Sequence, residues 1–172
     1  GDHLISELIK CDFNIDGFSA ISGLVYRDAY GKVVSNGMGV TADLDKLPLP
    51  SYEKYPLPIS AYIPAVNNYK RLPTVAVMTS RGCPSTCTYC QSSLFKKDVR
   101  YYSVEYVINH LKFLVKNYGI KEVSFFDDIF TIKRSRVYEL CDRIIEEGLN
   151  LTWICFIKTN RIITKDILKK MK

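Results

Sequence analysis

The sequence has 172 residues, of which 47% are hydrophobic and 24% charged, and its net charge is +6. This composition is typical of a globular protein and excludes a disordered chain, which would have too few apolar residues to bury a core. A membrane span is also excluded, because no uninterrupted apolar run approaches the roughly 18–20 residues that crossing a bilayer requires. We therefore expect no membrane partner.

The charge is unevenly distributed. Residues 1–72 carry seven Lys and Arg against eight Asp and Glu, whereas residues 73–172 carry 17 against ten. A basic segment can bind nucleic acid, but these basic residues are scattered among acids and form no block of five or more. Nucleic acid is therefore not expected as a partner.

Residues 1–42 predict a small mixed segment. A helix is expected near the start, with Asp2 as its cap, and two β-rich runs follow at 23–27 and 32–35. The short turn between these runs ends at Gly31, which is typical of a hairpin. The apolar positions expected on one helix face are Leu4, Leu8 and Ile9.

Residues 43–73 contain six of the seven prolines. Each proline fixes φ and removes a backbone donor, so this segment is predicted to be an extended, semi-rigid linker at a domain boundary.

From residue 74 onward, β and α patterns alternate. The predicted strands cover 74–78, 122–126 and 151–157, and the predicted helices follow Ser103, cover 136–147 and follow Thr164. The apolar face expected for the second of these helices consists of Val137, Leu140, Cys141, Ile144 and Ile145. The alternation predicts an α/β fold: the first three β-α units of a parallel sheet, as in a partial TIM-type barrel whose other units lie downstream. Because the sequence starts with Gly1 and ends inside a predicted helix, we expect a fragment of a longer protein.

In parallel α/β folds, functional residues lie at the carboxyl ends of the strands. Three loops are therefore of interest, at 79–102, 127–133 and 158–163. The first contains Cys83, Cys87 and Cys90 in the spacing C-x3-C-x2-C. Clustered cysteines favour a metal site in a reducing, cytoplasmic compartment over a disulfide framework. Gly82 would allow the backbone to turn closely around a metal centre.

Two kinds of metal centre suit thiolate ligands, zinc and an iron–sulfur cluster. Structural zinc usually takes four protein ligands, so Cys141, Cys155 or His110 would have to join the loop. Both of those cysteines lie in apolar patterns typical of core thiols, and His110 is expected to be exposed or half-buried. A four-iron cluster held by three cysteines leaves one iron open to a cofactor or substrate, and the spacing favours this alternative.

The second loop begins with adjacent carboxylates, Asp127 and Asp128. At the carboxyl end of a strand such a pair suits an ammonium group, although one of the two could instead cap the following helix. The third loop contains Lys158, Asn160 and Arg161, which would face the same end of the sheet or form a solvated loop.

The stretch 79–90 resembles the cysteine motif of the radical S-adenosylmethionine (SAM) superfamily. The likeness lies in the spacing, in the position after a strand, and in the aromatic Tyr89 before the third cysteine. Nearly all the rest of the chain resembles the subgroup with an N-terminal cobalamin-binding domain. The segments that carry this second likeness are 21–27, 44–50, 103–107, 118–123, 126–131, Trp153 and 158–160.

The resemblance implies three parts. Residues 1–42 would be the C-terminal tail of a cobalamin-binding-type domain, 43–73 the proline-rich linker, and 74–172 the N-terminal part of the radical SAM barrel domain. The family's cobalamin motif includes a histidine-bearing loop that would lie upstream of Gly1, and His3 does not match it. Cobalamin could therefore bind only through a missing upstream domain.

The resemblance also implies a chemistry. Cys83, Cys87 and Cys90 would ligate a 4Fe-4S cluster, and SAM would chelate the fourth iron. One electron, from a reductant such as flavodoxin or ferredoxin, would cleave SAM and give a 5′-deoxyadenosyl radical that attacks a small-molecule substrate. The expected outcome is cobalamin-assisted methylation or ring cyclisation.

Further site residues follow from the resemblance alone. Tyr89 would lie against the adenine of SAM. Asp127 and Asp128 stand where the superfamily contacts the methionine amine, often through a Gly-Gly-Glu-like motif that residues 126–128 replace here.

Two alternatives remain open at this stage. An enzyme similar to transfer RNA methylthiotransferases would share the cysteine loop, and the basic second half would suit RNA. A non-enzymatic zinc-binding or nucleic-acid-binding module would instead need a fourth protein ligand for its metal.

Overall fold

The computed structural model describes residues 1–91, 98–159 and 163–172. The chain divides into two compact units, Gly1–Pro48 and Leu49–Lys172. The division falls within the proline-rich segment 43–73, and the domain identities expected for the flanking parts stay predictions. No helix in the described ranges is long and apolar enough to cross a membrane.

The first unit contains helix α1 (Asp2–Lys10) and the predicted hairpin of β1 (Val25–Arg27) and β2 (Val33–Ser35). The strands pair antiparallel, with Tyr26 opposite Val34. The expected cap is wrong: Asp2 is the first residue of α1, where its charge favours the helix dipole, and Gly1 takes the cap position without a side-chain bond. Ile9 is also exposed and does not share the buried face of Leu8.

The second unit is built on a three-stranded parallel sheet. Its strands are β3 (Thr74–Val77), β6 (Glu122–Phe125) and β7 (Thr152–Cys155), in that spatial order. Val75, Val123 and Trp153 are in register across the sheet. The prediction of a mixed α/β fold with a parallel sheet is confirmed.

Three helices follow the sheet strands: α2 (Val104–Tyr118), α3 (Arg134–Glu146) and α4 (Lys165–Met171). Apolar side chains of the helices and the sheet form the core of this unit. Each helix has one apolar stripe, and the strands bury the side chains that face these stripes. The most completely buried of these residues include Ile108, Leu111, Leu114, Val123, Phe125, Val137, Leu140 and Ile167.

The ends of the helices differ in how well the sequence predicts them. Ser103 caps α2 by accepting a hydrogen bond from the Tyr106 N–H at 3.1 Å, and Gly119 ends it in the left-handed conformation, as predicted. Helix α3 begins two residues earlier than expected, and Ile145 is 68% exposed because it lies outside the buried stripe of Leu140 and Ile144. Thr164 precedes α4 as expected but makes no side-chain cap bond.

Shorter elements complete the described chain. Strands β4 (Ser80–Arg81) and β5 (Arg100–Tyr101) form a two-residue antiparallel ladder that the sequence patterns do not predict. Short 3₁₀ helices occur at Ile15–Ala20, Leu44–Lys46, Tyr52–Lys54 and Ile59–Ala61.

Candidate active site

The parallel order of the sheet brings the three predicted loops to one edge. The carboxyl ends of β3, β6 and β7 lie side by side, because Val77, Phe125 and Cys155 are in register. Backbone hydrogen bonds continue beyond the strands, from Phe126 N–H to Val77 O and from Phe130 N–H to Phe156 O, both at 2.9 Å. The loops that follow the strands are therefore neighbours at a single edge.

The loop that carries the cysteines is closed at its base. Ser80 pairs with Tyr101 and Arg81 with Arg100, so the chain leaves and returns to the sheet edge through the β4–β5 ladder. Gly82 follows directly, with φ of +102°. A Cβ at this position would lie 2.1 Å from the backbone oxygen of Asp98, so only glycine allows the two sides of the loop to approach this closely.

The three cysteines lie on this loop, and none forms a disulfide within the described ranges. Cys83 and Cys87 are partly exposed and Cys90 is exposed, and the N–H of Cys90 bonds to the carbonyl of Cys87 at 3.1 Å. Tyr89 is 92% exposed, and the pKa of its hydroxyl is raised by the neighbouring Cys87 thiol. Across the described ranges, no three Cys, His, Asp or Glu side chains lie close enough together to hold a metal ion.

The donor set nevertheless fits an iron–sulfur cluster. Three thiol groups that are at least partly exposed and confined to eight residues of one loop are ligands that iron–sulfur clusters take. The loop would have to draw its thiols together around the cluster as the cluster is assembled.

Asp127 is bound to the start of the cysteine loop. The residue follows β6 and is 1% exposed. Its Oδ1 accepts the N–H groups of Thr79 and Ser80 at 2.6 and 3.1 Å, and its Oδ2 accepts their hydroxyl groups at 2.5 and 2.8 Å. One carboxylate thus holds two consecutive residues between β3 and the cysteines.

Arg136 also bonds to Thr79, and it links Thr79 to Tyr102. It lies on α3 and is 6% exposed. Its guanidinium donates to the Thr79 hydroxyl at 3.1 Å, to the Thr79 carbonyl at 3.1 Å and to the Tyr102 carbonyl at 3.0 Å. Sequence reasoning missed this residue, although Arg136, Leu140 and Ile144 share helical spacing, so a buried arginine on an apolar stripe was the available signal.

Asp128 has a different environment from Asp127. Its side chain is exposed at the edge of the sheet. Neither aspartate caps the following helix, since α3 begins at Arg134 and has Lys133 at its cap position. The two adjacent acids therefore have different environments: Asp127 is buried and hydrogen-bonded, and Asp128 is exposed to solvent.

The third loop reaches the cysteine loop through Lys158. Its ammonium donates to the hydroxyl of Ser85 at 3.1 Å, and Ser85 lies between the first two cysteines. This contact places a positive charge beside the loop. Asn160 and Arg161, which the sequence placed in the same loop, lie outside the described residues.

The three residues considered as a fourth zinc ligand, His110, Cys141 and Cys155, are poorly suited to that role. His110 is 5% exposed, not half-buried as expected, and its Nε2 lies 2.9 Å from the Tyr52 hydroxyl. It is buried because the segment that contains Tyr52 packs over this face of α2, which the sequence of the helix alone does not indicate. Burial raises the pKa of Cys141, and it raises that of Cys155 to about 11, so both thiols are poor metal ligands.

A groove of about 630 Å³ lies on the sheet face that points away from the α-helices and carries the 3₁₀ turn Ile59–Ala61. Alternate strand residues, among them Ala76, Ser124 and Ile154, form one wall, and residues 55–68 form the other. Phe126 and Phe156 lie at the end of the groove nearest the carboxyl ends of the strands, with ring centroids 5.4 Å apart. The groove is mostly apolar and opens beside the edge that carries the cysteine loop.

Comparison with known proteins agrees with this geometry. A family model described as the radical SAM superfamily matches residues 77–172. The whole chain is 36% identical to an uncharacterized methyltransferase of Pyrococcus horikoshii, covering 36% of that protein. It is 29% identical, over 78% of the chain, to an anaerobic magnesium-protoporphyrin IX monomethyl ester cyclase of Rubrivivax gelatinosus, covering 23% of it.

A solved structure shows the same fold. The cobalamin-dependent S-adenosylmethionine radical enzyme OxsB, solved with aqua-cobalamin bound, matches 99% of the chain with a TM-score of 0.69 at 21% identity. The chain covers 24% of that protein, and so spans about a third or less of the length of these relatives. With the family model matching more than half of its residues, and with the motif in place at the sheet edge, the chain belongs to the radical SAM superfamily.

Proposed function

We propose that this chain is the cluster-binding part of a cobalamin-dependent radical SAM enzyme that methylates or cyclises a small molecule. The observation that carries the proposal is the C-x3-C-x2-C loop, anchored by buried hydrogen bonds at the carboxyl end of the first strand of a parallel sheet. Similarity to a methyltransferase and to a cyclase supports this reaction class.

Cys83, Cys87 and Cys90 would hold a 4Fe-4S cluster. Such a cluster would supply an open iron that binds SAM and the single electron for its reductive cleavage. The protein's own part is to fix the loop at the sheet edge and to surround the cofactor. Tyr89, with its ring exposed beside Cys87, would pack against the adenine.

The charged groups at the edge suit the two ends of an amino acid moiety. The exposed carboxylate of Asp128 would bind the ammonium group of SAM, and the ammonium group of Lys158 would bind its carboxylate. Both residues follow sheet strands, so they would approach the cofactor from adjacent positions along the edge.

The substrate would occupy the groove on the open face of the sheet. Its apolar lining, with two phenylalanines at the end nearest the cysteine loop, suits a largely apolar small molecule. In the complete protein, further β-α units would close this face into a barrel, and cobalamin would bind through an upstream domain. An external one-electron reductant and a cytoplasmic location complete the proposal.

The test is anaerobic reconstitution of the full-length protein with iron and sulfide. We expect about four irons per chain, as one 4Fe-4S cluster requires, and an EPR signal of the reduced protein that changes when SAM is added. Cys87→Ser should lose the cluster, whereas Cys141→Ser should keep it, since burial in the core keeps that thiol away from the loop. Zinc without iron, or a cluster whose signal ignores SAM in folded protein, would overturn the proposal.

A further inference from the structure

The buried polar network between the sheet and the cysteine loop has a role beyond packing. We infer that Asp127 is a positioning residue: together with Arg136, and through Thr79, it sets the orientation of the cysteine loop toward SAM and does not itself bind the cofactor. This inference rests on the proposed function and assigns a different task to each of the two adjacent aspartates.

The hydrogen bonds of the network have a defined direction. A guanidinium group only donates, so the Thr79 hydroxyl must accept from Arg136 and use its single hydrogen to donate to Asp127. The chain of donors therefore runs from Arg136 through Thr79 to Asp127. A side chain without a hydroxyl at position 79 would interrupt it at both links.

The carboxylate of Asp127 has little remaining capacity for a ligand. An ionised carboxylate offers about four lone-pair sites, and four donors from Thr79 and Ser80 already bond to this one. The side chain is also 1% exposed. An ammonium group at this edge would find the exposed carboxylate of Asp128 instead.

The network acts where the loop leaves the sheet. Thr79 and Ser80 precede Cys83 by only a few residues, and the returning strand is held through the Tyr102 carbonyl, which Arg136 also bonds. If these bonds were lost, the three thiols would still be close in sequence and could still collect iron. Their orientation relative to Asp128 and Lys158 on the neighbouring loops would no longer be fixed, so binding of SAM should suffer before cluster assembly does.

The chain offers a matched control at the opposite end of the same strand. Glu122, at the start of β6, is also a fully buried carboxylate. It accepts the N–H groups of Lys70 and Arg71 at 3.0–3.1 Å and the Thr152 hydroxyl at 2.7 Å. Glu122→Gln perturbs a comparable network at the end of the strand away from the cysteine loop. Any change that it causes in SAM binding therefore reports the effect of lowered stability alone.

The experiment uses Thr79→Val, Thr79→Ser, Asp127→Asn and Glu122→Gln in the reconstituted full-length protein. Iron content, thermal unfolding and the SAM concentration for the half-maximal EPR change are measured for each. We expect Thr79→Val and Asp127→Asn to retain iron but to need at least about tenfold more SAM, the effect of losing one well-placed hydrogen bond. Thr79→Ser, which keeps the hydroxyl, and Glu122→Gln should respond to SAM as the wild type does.

Two other patterns would overturn the inference. A defect in Asp127→Asn but not in Thr79→Val would show that the link through the Thr79 hydroxyl does not set the response to SAM. An unchanged SAM response in both variants would show that the network contributes only to stability. If the wild-type protein itself shows no SAM response, the proposed function fails instead, and the two failures are thus distinguishable.

A measurement on the metal-free protein gives an independent readout. Amide hydrogen exchange in a peptide that covers residues 76–91 should be faster in Thr79→Val than in the wild type, because Asp127, which accepts the N–H groups of residues 79 and 80, loses the hydroxyl that links it to Arg136. Glu122→Gln should leave exchange in this peptide unchanged. Equal exchange in Thr79→Val and the wild type would contradict the positioning role even if no cluster were ever assembled.

Discussion

At the scale of single residues, the site depends on positions where one side chain satisfies several constraints at once. Gly82 has a positive φ and also faces the backbone of Asp98. His110 is buried in the core and shares a hydrogen bond with Tyr52. Each of these residues leads to a prediction in which a second residue of the same type serves as the control.

Gly82→Ala should displace the cysteine loop. The added Cβ would lie 2.1 Å from the Asp98 oxygen, so the β4–β5 base must open to accommodate it. Gly31→Ala, at φ of +79° with no atom within 4 Å of the new Cβ, should cost only about 1 kcal/mol of stability. Iron content after reconstitution should fall in the first variant and not in the second; full iron binding by Gly82→Ala would refute this account of the loop.

His110 should make stability depend on pH in mildly acidic solution. Burial lowers the pKa of His110 to about 4, whereas a histidine in an unfolded chain titrates near 6.5. Between these values the unfolded chain binds a proton that the folded chain does not, so the free energy of unfolding falls as the pH falls. The loss should be on the order of 1 kcal/mol per pH unit below pH 6.5.

Denaturant unfolding followed by Trp153 fluorescence between pH 7 and about pH 5, where carboxylates are still mostly ionised, tests this prediction. His110→Gln should remove most of the pH dependence in this range. His3→Gln changes an exposed histidine of the other unit and should leave it in place. A slope that survives His110→Gln would assign the pH dependence to other groups.

At the scale of elements, the positions at which the helices begin and end determine where the connecting loops lie. Helix α2 spans the distance from the cysteine loop back to the start of β6, and its two ends are held by a serine cap and a left-handed glycine. Helix α3 presents Arg136 to the base of the cysteine loop. Helix α4 has a threonine at its cap position whose hydroxyl is buried and makes no hydrogen bond in the described structure.

The two caps should respond differently to substitution. Ser103→Ala should lower the free energy of unfolding by about 1 kcal/mol, because the N–H of Tyr106 loses its acceptor. Thr164→Val should be neutral or stabilising, since a methyl group replaces a buried hydroxyl that has no hydrogen-bond partner among the described residues. Denaturant midpoints of the two variants check the pair, and a loss from Thr164→Val as large as that from Ser103→Ala would contradict it.

At the scale of the whole molecule, several basic residues on the helices of the second unit pair with acids. Lys112 pairs with Glu147 at 2.6 Å, Arg143 pairs with Glu105 at 2.9 Å, and Lys170 pairs with Asp142. These pairs spread the positive charge over the helical surface. Acids interspersed with basic residues make this helical surface unlike the continuous basic surface that binds RNA best.

Binding to transfer RNA should therefore be weak and non-specific. At physiological salt we expect a dissociation constant of about 10⁻⁴–10⁻⁶ M that weakens as salt is added, as for any moderately basic protein. Filter binding with transfer RNA and with a random RNA of equal length measures this. A clear preference for transfer RNA would favour the methylthiotransferase-like alternative.

Local patterns were enough to predict most of the second unit. The boundaries of α2 followed from Ser103 and Gly119, and each sheet strand lies within its predicted range. Two of these local predictions were wrong. Helix α1 lacks its expected cap. Ile145 was predicted to be buried but is exposed, because burial at the edge of a helical stripe depends on neighbouring elements that the periodicity does not describe.

The family and its cysteine motif follow from the amino-acid sequence alone. Cysteine spacing and strand–helix alternation are properties of neighbouring residues, and they can be read without a fold. Only the tertiary structure decided which aspartate is buried, that Arg136 reaches the cysteine loop, and that His110 lies in the core beside Tyr52. These facts depend on pairs of residues 48, 57 and 58 positions apart, which meet only because the sheet and its helices pack together.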